Sequence, residues 1–210
     1  MPSFTEAQAC TPIPIDPRGF NPKAIMPYGV TPKHVGQAMQ DWIDFIGFVN
    51  VQLHSRQIER LESFLMPANF SSIVGEFIGA AIPKHCPTIC RNAYHNGHPD
   101  LIPKGMYPKD SIQHGPDGIE IKGSRHVRGW QGHNAEDTWL MVCVFDSNAA
   151  KDKATGIGPR PFQFIKIVGA KIAKTDWTFS GRSATSRRTI TASVNQSGFA
   201  KMEANWIYRA

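Results

Sequence analysis

Three observations predict a single-domain fold that combines long helices with a β-sheet. Apolar residues recur at approximately helical spacing over residues 33–66. Residues 119–122 alternate apolar and charged side chains, which is typical of a half-buried strand. Residues 138–145 form an almost continuous apolar run, as expected for a strand covered on both faces. A chain of 210 residues suffices for one well-formed core and is short for two domains, so we expect residues 1–210 to form one domain.

The composition is that of an ordinary globular protein, with 41% hydrophobic and 19% charged residues. No apolar run approaches the length needed to cross a bilayer, and residues 1–30 lack the pattern of a secretory signal. Four cysteines are too few for a disulfide framework at this size. These features predict a cytoplasmic protein with no membrane partner.

Charge is distributed unevenly along the chain. Residues 1–120 contain 9 Lys and Arg against 11 Asp and Glu, whereas residues 121–210 contain 14 against 6. A basic second half suggests a polyanion such as nucleic acid as the partner. An ordinary solvated basic surface would give the same count.

The first third of the chain predicts an extended arm followed by helices. Residues 1–32 contain seven of the 16 prolines, which disfavour both helix and sheet. This arm could pack on its own domain, cross to a partner subunit or touch a ligand. A long helix is expected over residues 33–66, with a possible break near 52–55 and with Pro67 ending it.

A second helix is expected to follow, capped by Ser71 or Ser72 and running through Ile82. Glu76 is the one charged residue among residues 73–82. Because burial of an unpaired carboxylate is costly, Glu76 must reach either water or a cationic partner.

Two acidic residues and a lysine form the most informative pattern. Asp100 follows a proline, and Glu120 and Lys122 stand two apart in the alternating run. Residues 103–118 contain three prolines and three glycines, which predicts a β-hairpin whose strands carry Asp100 and Glu120. Glu120 and Lys122 would then leave the same face of their strand. Two carboxylates beside a lysine at a sheet edge form a site for a hard divalent cation and an activated water.

The pattern Pro99-Asp100 … Glu120-Ile121-Lys122 resembles the motif of the PD-(D/E)XK nuclease superfamily. The resemblance is clearest over residues 70–170, a nuclease core. It implies the restriction-endonuclease-like α/β fold, a mixed central β-sheet of about four or five strands flanked by helices.

The resemblance also implies roles for individual residues. Asp100, Glu120 and the Ile121 carbonyl would hold Mg²⁺, for which Mn²⁺ can substitute, and no small-molecule cofactor is implied. Lys122 would orient or help deprotonate the attacking water and offset charge on the scissile phosphate. Glu76 matches an acidic residue that many members carry on a helix ahead of the aspartate strand; an exposed surface glutamate is the alternative.

Polar and basic residues after Lys122 are candidate DNA contacts, because arginine can bond guanine while Ser and Thr reach phosphates. A flexible polar loop is the alternative in each case. A basic DNA-recognition segment is expected over residues 171–210. The candidates are Arg125, Arg128, Gln131, His133 and Asn134, followed by Arg182, Ser183, Ser186, Arg187 and Arg188.

Within the superfamily, a compact domain with a basic C-terminal segment is most similar to a type II restriction endonuclease, prokaryotic or phage-encoded. We therefore expect a Mg²⁺-dependent, sequence-specific endonuclease that hydrolyses double-stranded DNA as a homodimer. A structure-selective nuclease of the same fold, such as a junction resolvase or repair nuclease, is one alternative. A non-catalytic DNA-binding protein is another.

A zinc site is a further alternative for the segment before Asp100. Cys86 and Cys90 have the spacing of a zinc knuckle, and His95 with His98 could supply the second pair. All four would lie on one short connection, so a polar loop leading into the strand is favoured.

Overall fold

The computed structural model describes residues 4–132, 134–180 and 191–210. Within these ranges the helices are α1 (Glu6–Ala9), α2 (Pro32–Ser55), α3 (Leu61–Phe64), α4 (Pro67–His85) and α5 (Gln196–Ala204). The strands are β1 (Ile89–Arg91), β2 (Leu101–Pro103), β3 (Ile119–Ser124), β4 (Gln131–Gly132), β5 (Thr138–Asp146), β6 (Gln163–Ile172), β7 (Trp177–Ser180), β8 (Thr191–Val194) and β9 (Trp206–Arg209). Among the described helices, none combines the length and the apolar character needed to cross a membrane.

A mixed central sheet organises the molecule. In the described part of the chain it has six strands in the order β1-β2-β3-β5-β6-β9. β3 and β5 are parallel, and every other neighbouring pair is antiparallel. The prediction of an α/β protein with a mixed central sheet flanked by helices is therefore confirmed, with one or two more strands than expected. β4, β8 and β7 form a second, three-stranded sheet that the sequence did not reveal.

The two faces of the central sheet bury different side chains of the same strands. On one face, Met141 and Phe145 of β5 pack with Trp42 of α2 and Phe70 of α4. On the other face, Leu140, Val142 and Val144 pack against residues of the small sheet and α5, including Trp177, Val194 and Met202. This two-sided cover explains why β5 reads as a continuous apolar run.

The predicted long helix over residues 33–66 is wrong beyond Ser55, where α2 ends. Gln57 adopts a left-handed conformation with φ 59°, and Arg60 turns into the interior. The Leu61 N–H donates to the Asn50 side chain at 2.9 Å, which starts α3 as a separate turn. A buried polar network thus ends the helix near the predicted break, and the apolar spacing farther along belongs to a different element.

Pro67 begins a helix rather than ending one, so that prediction is also wrong. It is the first residue of α4, where its missing N–H costs no hydrogen bond. Met66 occupies the N-cap position in place of the predicted Ser71 or Ser72. α4 therefore starts earlier than expected and extends to His85.

The N-terminal arm packs on its own domain, which is the first of the three predicted alternatives. The Ile13 N–H donates to the Phe162 carbonyl at 2.9 Å, and the Asn21 N–H donates to the Ile207 carbonyl at 3.0 Å. The Phe20 ring lies 4.9 Å from the Tyr208 ring, centroid to centroid. The arm therefore covers the β9 edge of the central sheet.

Two glycines bring α4 unusually close to β3. A Cβ atom on Gly123 would lie 2.3 Å from the Ser71 carbonyl oxygen, and a Cβ on Gly75 would lie 3.0 Å from the Gly123 nitrogen. Any side chain at Gly123 would push helix and strand apart. This approach places the α4 residue Glu76 beside the polar face of β3.

Candidate active site

The predicted hairpin places Asp100 next to the backbone of β3. β2 and β3 pair antiparallel through Leu101 and Ile119, with Asp100 immediately before β2. The Asp100 Oδ2 accepts the Ile121 N–H at 2.7 Å. The carboxylate thus takes the place that a neighbouring strand would occupy on β3, and this bond holds it beside Glu120 and Lys122.

A cleft of ≈ 590 Å³ contains the three residues of the motif. One wall is α4, another is the segment before β2, and a third comes from the small sheet. The residues that line it include Glu76, Arg91, His98, Asp100, His114, Glu120, Lys122, Gln131, Asn134, Glu136 and Trp177. The structure therefore brings together residues that lie up to about a hundred positions apart in the sequence.

Glu120 is the centre of a chain of charged side chains. Its Oε1 lies 2.8 Å from Lys122 Nζ, and its Oε2 lies 2.9 Å from His98 Nδ1. His98 Nε2 in turn lies 2.6 Å from Glu136 Oε2. These four side chains are 15–28% exposed, so their interactions are only partly screened by water.

Asp100 and Glu120 have very different pKa values because their surroundings differ. Burial and the negative charge of Glu120 raise the pKa of Asp100 to about 7. Burial would also raise the pKa of Glu120, but the contacts with His98 and Lys122 outweigh it and lower that pKa to about 2. Two carboxyl groups with widely separated pKa values in one cleft are typical of functional sites.

The pKa values of Lys122 and His98, the two cationic partners of Glu120, are raised although burial acts to lower them. Burial alone would lower the pKa of Lys122, but the adjacent Glu120 carboxylate outweighs it and raises that pKa. The pKa of His98 is likewise raised, because its carboxylate partners outweigh the effect of burial. Both of these side chains are therefore favoured in their protonated forms.

Because the pKa of Asp100 is raised, its ionised form lowers the folding stability at high pH, and replacement with asparagine should remove this cost. An aspartate in an unfolded chain has a pKa of about 3.9, so the unfolded protein releases this proton first and stability falls as the pH rises from about 4 to about 7. An asparagine side chain cannot ionise and keeps an oxygen that can accept the Ile121 N–H. We expect Asp100→Asn to stabilise the cation-free protein by about 1–3 kcal/mol at pH 8 and hardly at all at pH 4.

Urea unfolding with a chelator at both pH values measures this effect. An unchanged difference in stability between wild type and variant across that pH range would show that Asp100 titrates normally.

Glu76 lies at the rim of the cleft. Its Oε2 lies 2.7 Å from Arg91 Nη2, and the two side chains are 65% and 57% exposed. The sequence required Glu76 to reach either water or a cationic partner, and in the structure it does both. An exposed ion pair of this kind contributes little to folding.

Only part of the predicted DNA-contact set lines the cleft. Gln131 and Asn134 do, whereas Arg128 is exposed on the loop after β3 and is not among the lining residues. Arg125 turns inward, where its guanidinium donates to the Ser147 carbonyl and lies over the ring of Phe145. Arg125 is half-buried and its guanidinium is engaged within the domain, and its predicted contact with DNA stays a prediction.

The remaining predicted contacts lie outside the described residues. They are His133, Arg182, Ser183, Ser186, Arg187 and Arg188.

Three of the four predicted zinc ligands have separate partners. Cys86 Sγ lies 3.2 Å from Thr88 Oγ1, and Cys90 Sγ donates to the Ile102 carbonyl. His98 contacts carboxylates instead. Over residues 4–132, 134–180 and 191–210, no three His, Cys, Asp or Glu side chains stand arranged to hold a metal ion.

Sequence reasoning missed Arg91 and Glu136 and assigned His98 only to the zinc alternative. Glu136 lies sixteen residues beyond Glu120 on an irregular segment, and no motif connects the two. His98 stands two residues before Asp100, so its place beside the motif was the one available signal.

The chain was compared with family models, curated proteins and solved structures. No family model, curated protein or solved structure matches the chain.

Proposed function

We propose that this chain is a Mg²⁺-dependent endonuclease that hydrolyses double-stranded DNA, a site-specific enzyme of the PD-(D/E)XK type with the restriction-endonuclease-like fold. The observation that carries the proposal is the convergence of Asp100, Glu120 and Lys122 in one cleft at the edge of β3. Phosphodiester hydrolysis requires charge stabilisation around a phosphate, and this set of groups suits that task.

The residues fit a divalent cation in donor type and in charge. The carboxylates of Asp100 and Glu120 are hard oxygen donors of the kind that Mg²⁺ and Mn²⁺ prefer, and the Ile121 carbonyl is the third proposed donor. Burial and the negative charge of Glu120 raise the pKa of Asp100, and a bound cation would favour its ionised form. When bound, the cation would supply Lewis-acid stabilisation of the phosphate charge.

A bound cation would share Glu120 with two positively charged side chains. Each of its oxygens already contacts a protein cation, Lys122 at Oε1 and His98 at Oε2. A divalent cation beside Glu120 would repel both of these positive charges, so we propose that one of the contacts is released when Glu120 serves as a ligand.

Lys122 would act on the substrate through its charge. Its raised pKa favours the ammonium form, which can donate to a phosphate oxygen but cannot accept a proton from water. We propose that Lys122 offsets charge on the scissile phosphate. Its predicted role in orienting or deprotonating the water stays a prediction, because the contact with Glu120 that raises its pKa would be lost when Glu120 binds a cation.

The walls of the cleft offer groups that suit a nucleic-acid backbone. Arg91 at the rim presents a planar guanidinium that matches phosphate geometry. Gln131 and Asn134, from the small-sheet side, carry both donors and acceptors. We propose that these residues contact the strand that enters the cleft, and that two copies act together on a two-fold symmetric site.

Digestion of phage DNA by the purified chain tests the proposed function. With Mg²⁺ or Mn²⁺ we expect discrete fragments whose sequenced ends share one motif, and no cleavage with a chelator. Preference for branched DNA would indicate a structure-selective nuclease instead. Metal-independent DNA binding without cleavage under either cation would indicate a non-catalytic DNA-binding protein.

A further inference from the structure

We infer that His98 is a positioning residue for Glu120 when that carboxylate binds a divalent cation, and that Glu136 holds His98 in place. The inference rests on the proposed function, because it takes Glu120 to be a cation ligand. It gives a role to two residues outside the PD-(D/E)XK motif.

The imidazole of His98 is fixed through both of its nitrogens. Nδ1 lies 2.9 Å from Glu120 Oε2, and Nε2 lies 2.6 Å from Glu136 Oε2. A ring bonded at both nitrogens cannot rotate without breaking a hydrogen bond. The orientation of Glu120 is therefore coupled to that of Glu136 through the ring.

The backbone of His98 is held as firmly as its ring. The His98 N–H donates to the Gln113 carbonyl at 2.9 Å, and its carbonyl accepts the Gly115 N–H at 2.9 Å. The Asn92 side chain also donates to the Pro99 carbonyl at 3.1 Å, next in the chain. His98 is thus anchored to the hairpin loop that leads into β3.

The two partners of Glu120 differ in how easily they can leave it. Lys122 contacts Glu120 through an ammonium on a flexible four-carbon stem. His98 is held by Glu136 and by its own backbone, so its contact costs less entropy to keep. We therefore expect Lys122 to yield when Glu120 takes a cation, and His98 to stay.

A hydrogen bond that His98 keeps to Glu120 should raise the affinity of the site for the cation. Carboxylates that bind metals are themselves hydrogen-bonded, and loss of such an outer partner typically lowers metal affinity about 10–100-fold. His98 with Glu136 forms a two-step support of this type for Glu120. Its removal should weaken cation binding even when no DNA is present.

Calorimetric titration of Mn²⁺ and Mg²⁺ into the full chain, without DNA, tests the inference. We expect His98→Ala to weaken cation binding about 10–100-fold. His98→Asn should recover part of the loss, because an amide N–H₂ can donate to Glu120. Glu136→Gln should cause a smaller loss, because glutamine still offers an oxygen to Nε2.

His114 provides the matched control. It lines the same cleft, with its ring centroid 6.3 Å from that of His98, and within the described residues it contacts no carboxylate. His114→Ala should keep wild-type cation affinity. Thermal unfolding of each cation-free variant shows whether a loss of affinity merely follows a loss of stability.

Wild-type or tighter cation binding by His98→Ala would overturn the inference, since tighter binding would mean that His98 competes with the cation. If His98→Ala does not fold, wild-type affinity in both His98→Asn and Glu136→Gln would overturn it equally. If the wild type cleaves DNA and His98→Ala binds the cation as tightly as the wild type does, this inference alone is contradicted. Cation binding that depends on His98, without cleavage, contradicts the proposed function alone, and a wild type that binds no cation contradicts both.

Discussion

Replacement of Lys122 with methionine is expected to lower the rate of DNA cleavage at least about 10²–10³-fold while DNA affinity stays within a few-fold of wild type. Among the described residues that line the cleft, Lys122 is the one lysine, and its ammonium lies 2.8 Å from Glu120 Oε1. Methionine keeps much of the length of the side chain and removes the charge. The loss should therefore fall on the chemical step and not on binding.

Single-turnover cleavage with Mg²⁺ and DNA binding with Ca²⁺ separate the two effects. Asp100→Ala should abolish cleavage in the same way, because it removes a proposed cation ligand. Lys104→Ala is the matched control, since Lys104 is an exposed lysine on the same hairpin outside the cleft. Full activity in either Lys122→Met or Asp100→Ala would refute the assignment of the site.

Replacement of Arg60 with methionine is expected to cost about 3–5 kcal/mol of folding stability. The Arg60 side chain is 2% exposed and its guanidinium contacts Glu62 at 2.6 Å, Asn148 at 2.7 Å and the Arg160 carbonyl at 2.8 Å. Glu62 is fully buried, so methionine would leave a carboxylate without its cation in the interior. This network connects α3 to the segment after β5.

Urea unfolding of wild type and variant at pH 7 gives the change in free energy. Arg18→Met is the control, because Arg18 likewise pairs with a carboxylate, that of Asp16, but is 90% exposed, and we expect no measurable change from it. A loss below about 1 kcal/mol for Arg60→Met would mean that the buried network does not hold these elements together.

Sequence reasoning recovered the features that depend on local periodicity. The alternation of Ile119 to Lys122 correctly predicted a strand with Glu120 and Lys122 on one face, because side chains alternate across any strand. The turn-rich segment before it predicted the antiparallel pairing with β2. The apolar run of β5 predicted a strand buried on both faces.

Features set by distant residues were not predictable in this way. α2 ends where it does because Arg60 meets Asn148, a partner 88 positions away that no local pattern indicates. The small sheet joins short strands from three separate segments, of which β4 has only two residues. Propensity over so few residues carries little information.

In the candidate site, too, local sequence patterns predicted some residues and missed those whose contacts depend on distant parts of the chain. Asp100, Glu120 and Lys122 were recognised because their spacing forms a motif within one hairpin. Glu136 lines the cleft and contacts the ring of His98, and both features depend on how the segment before β5 packs against the segment before β2. A pair of this kind leaves no spacing rule in a single sequence.

Anomalous diffraction from crystals of the chain grown with Mn²⁺ would locate the cation directly. We expect a Mn²⁺ peak within ligand distance of carboxylate oxygens of both Asp100 and Glu120, at about 2.0–2.3 Å. Mn²⁺ bound elsewhere on the chain, with Asp100 and Glu120 still contacting only protein groups, would contradict it.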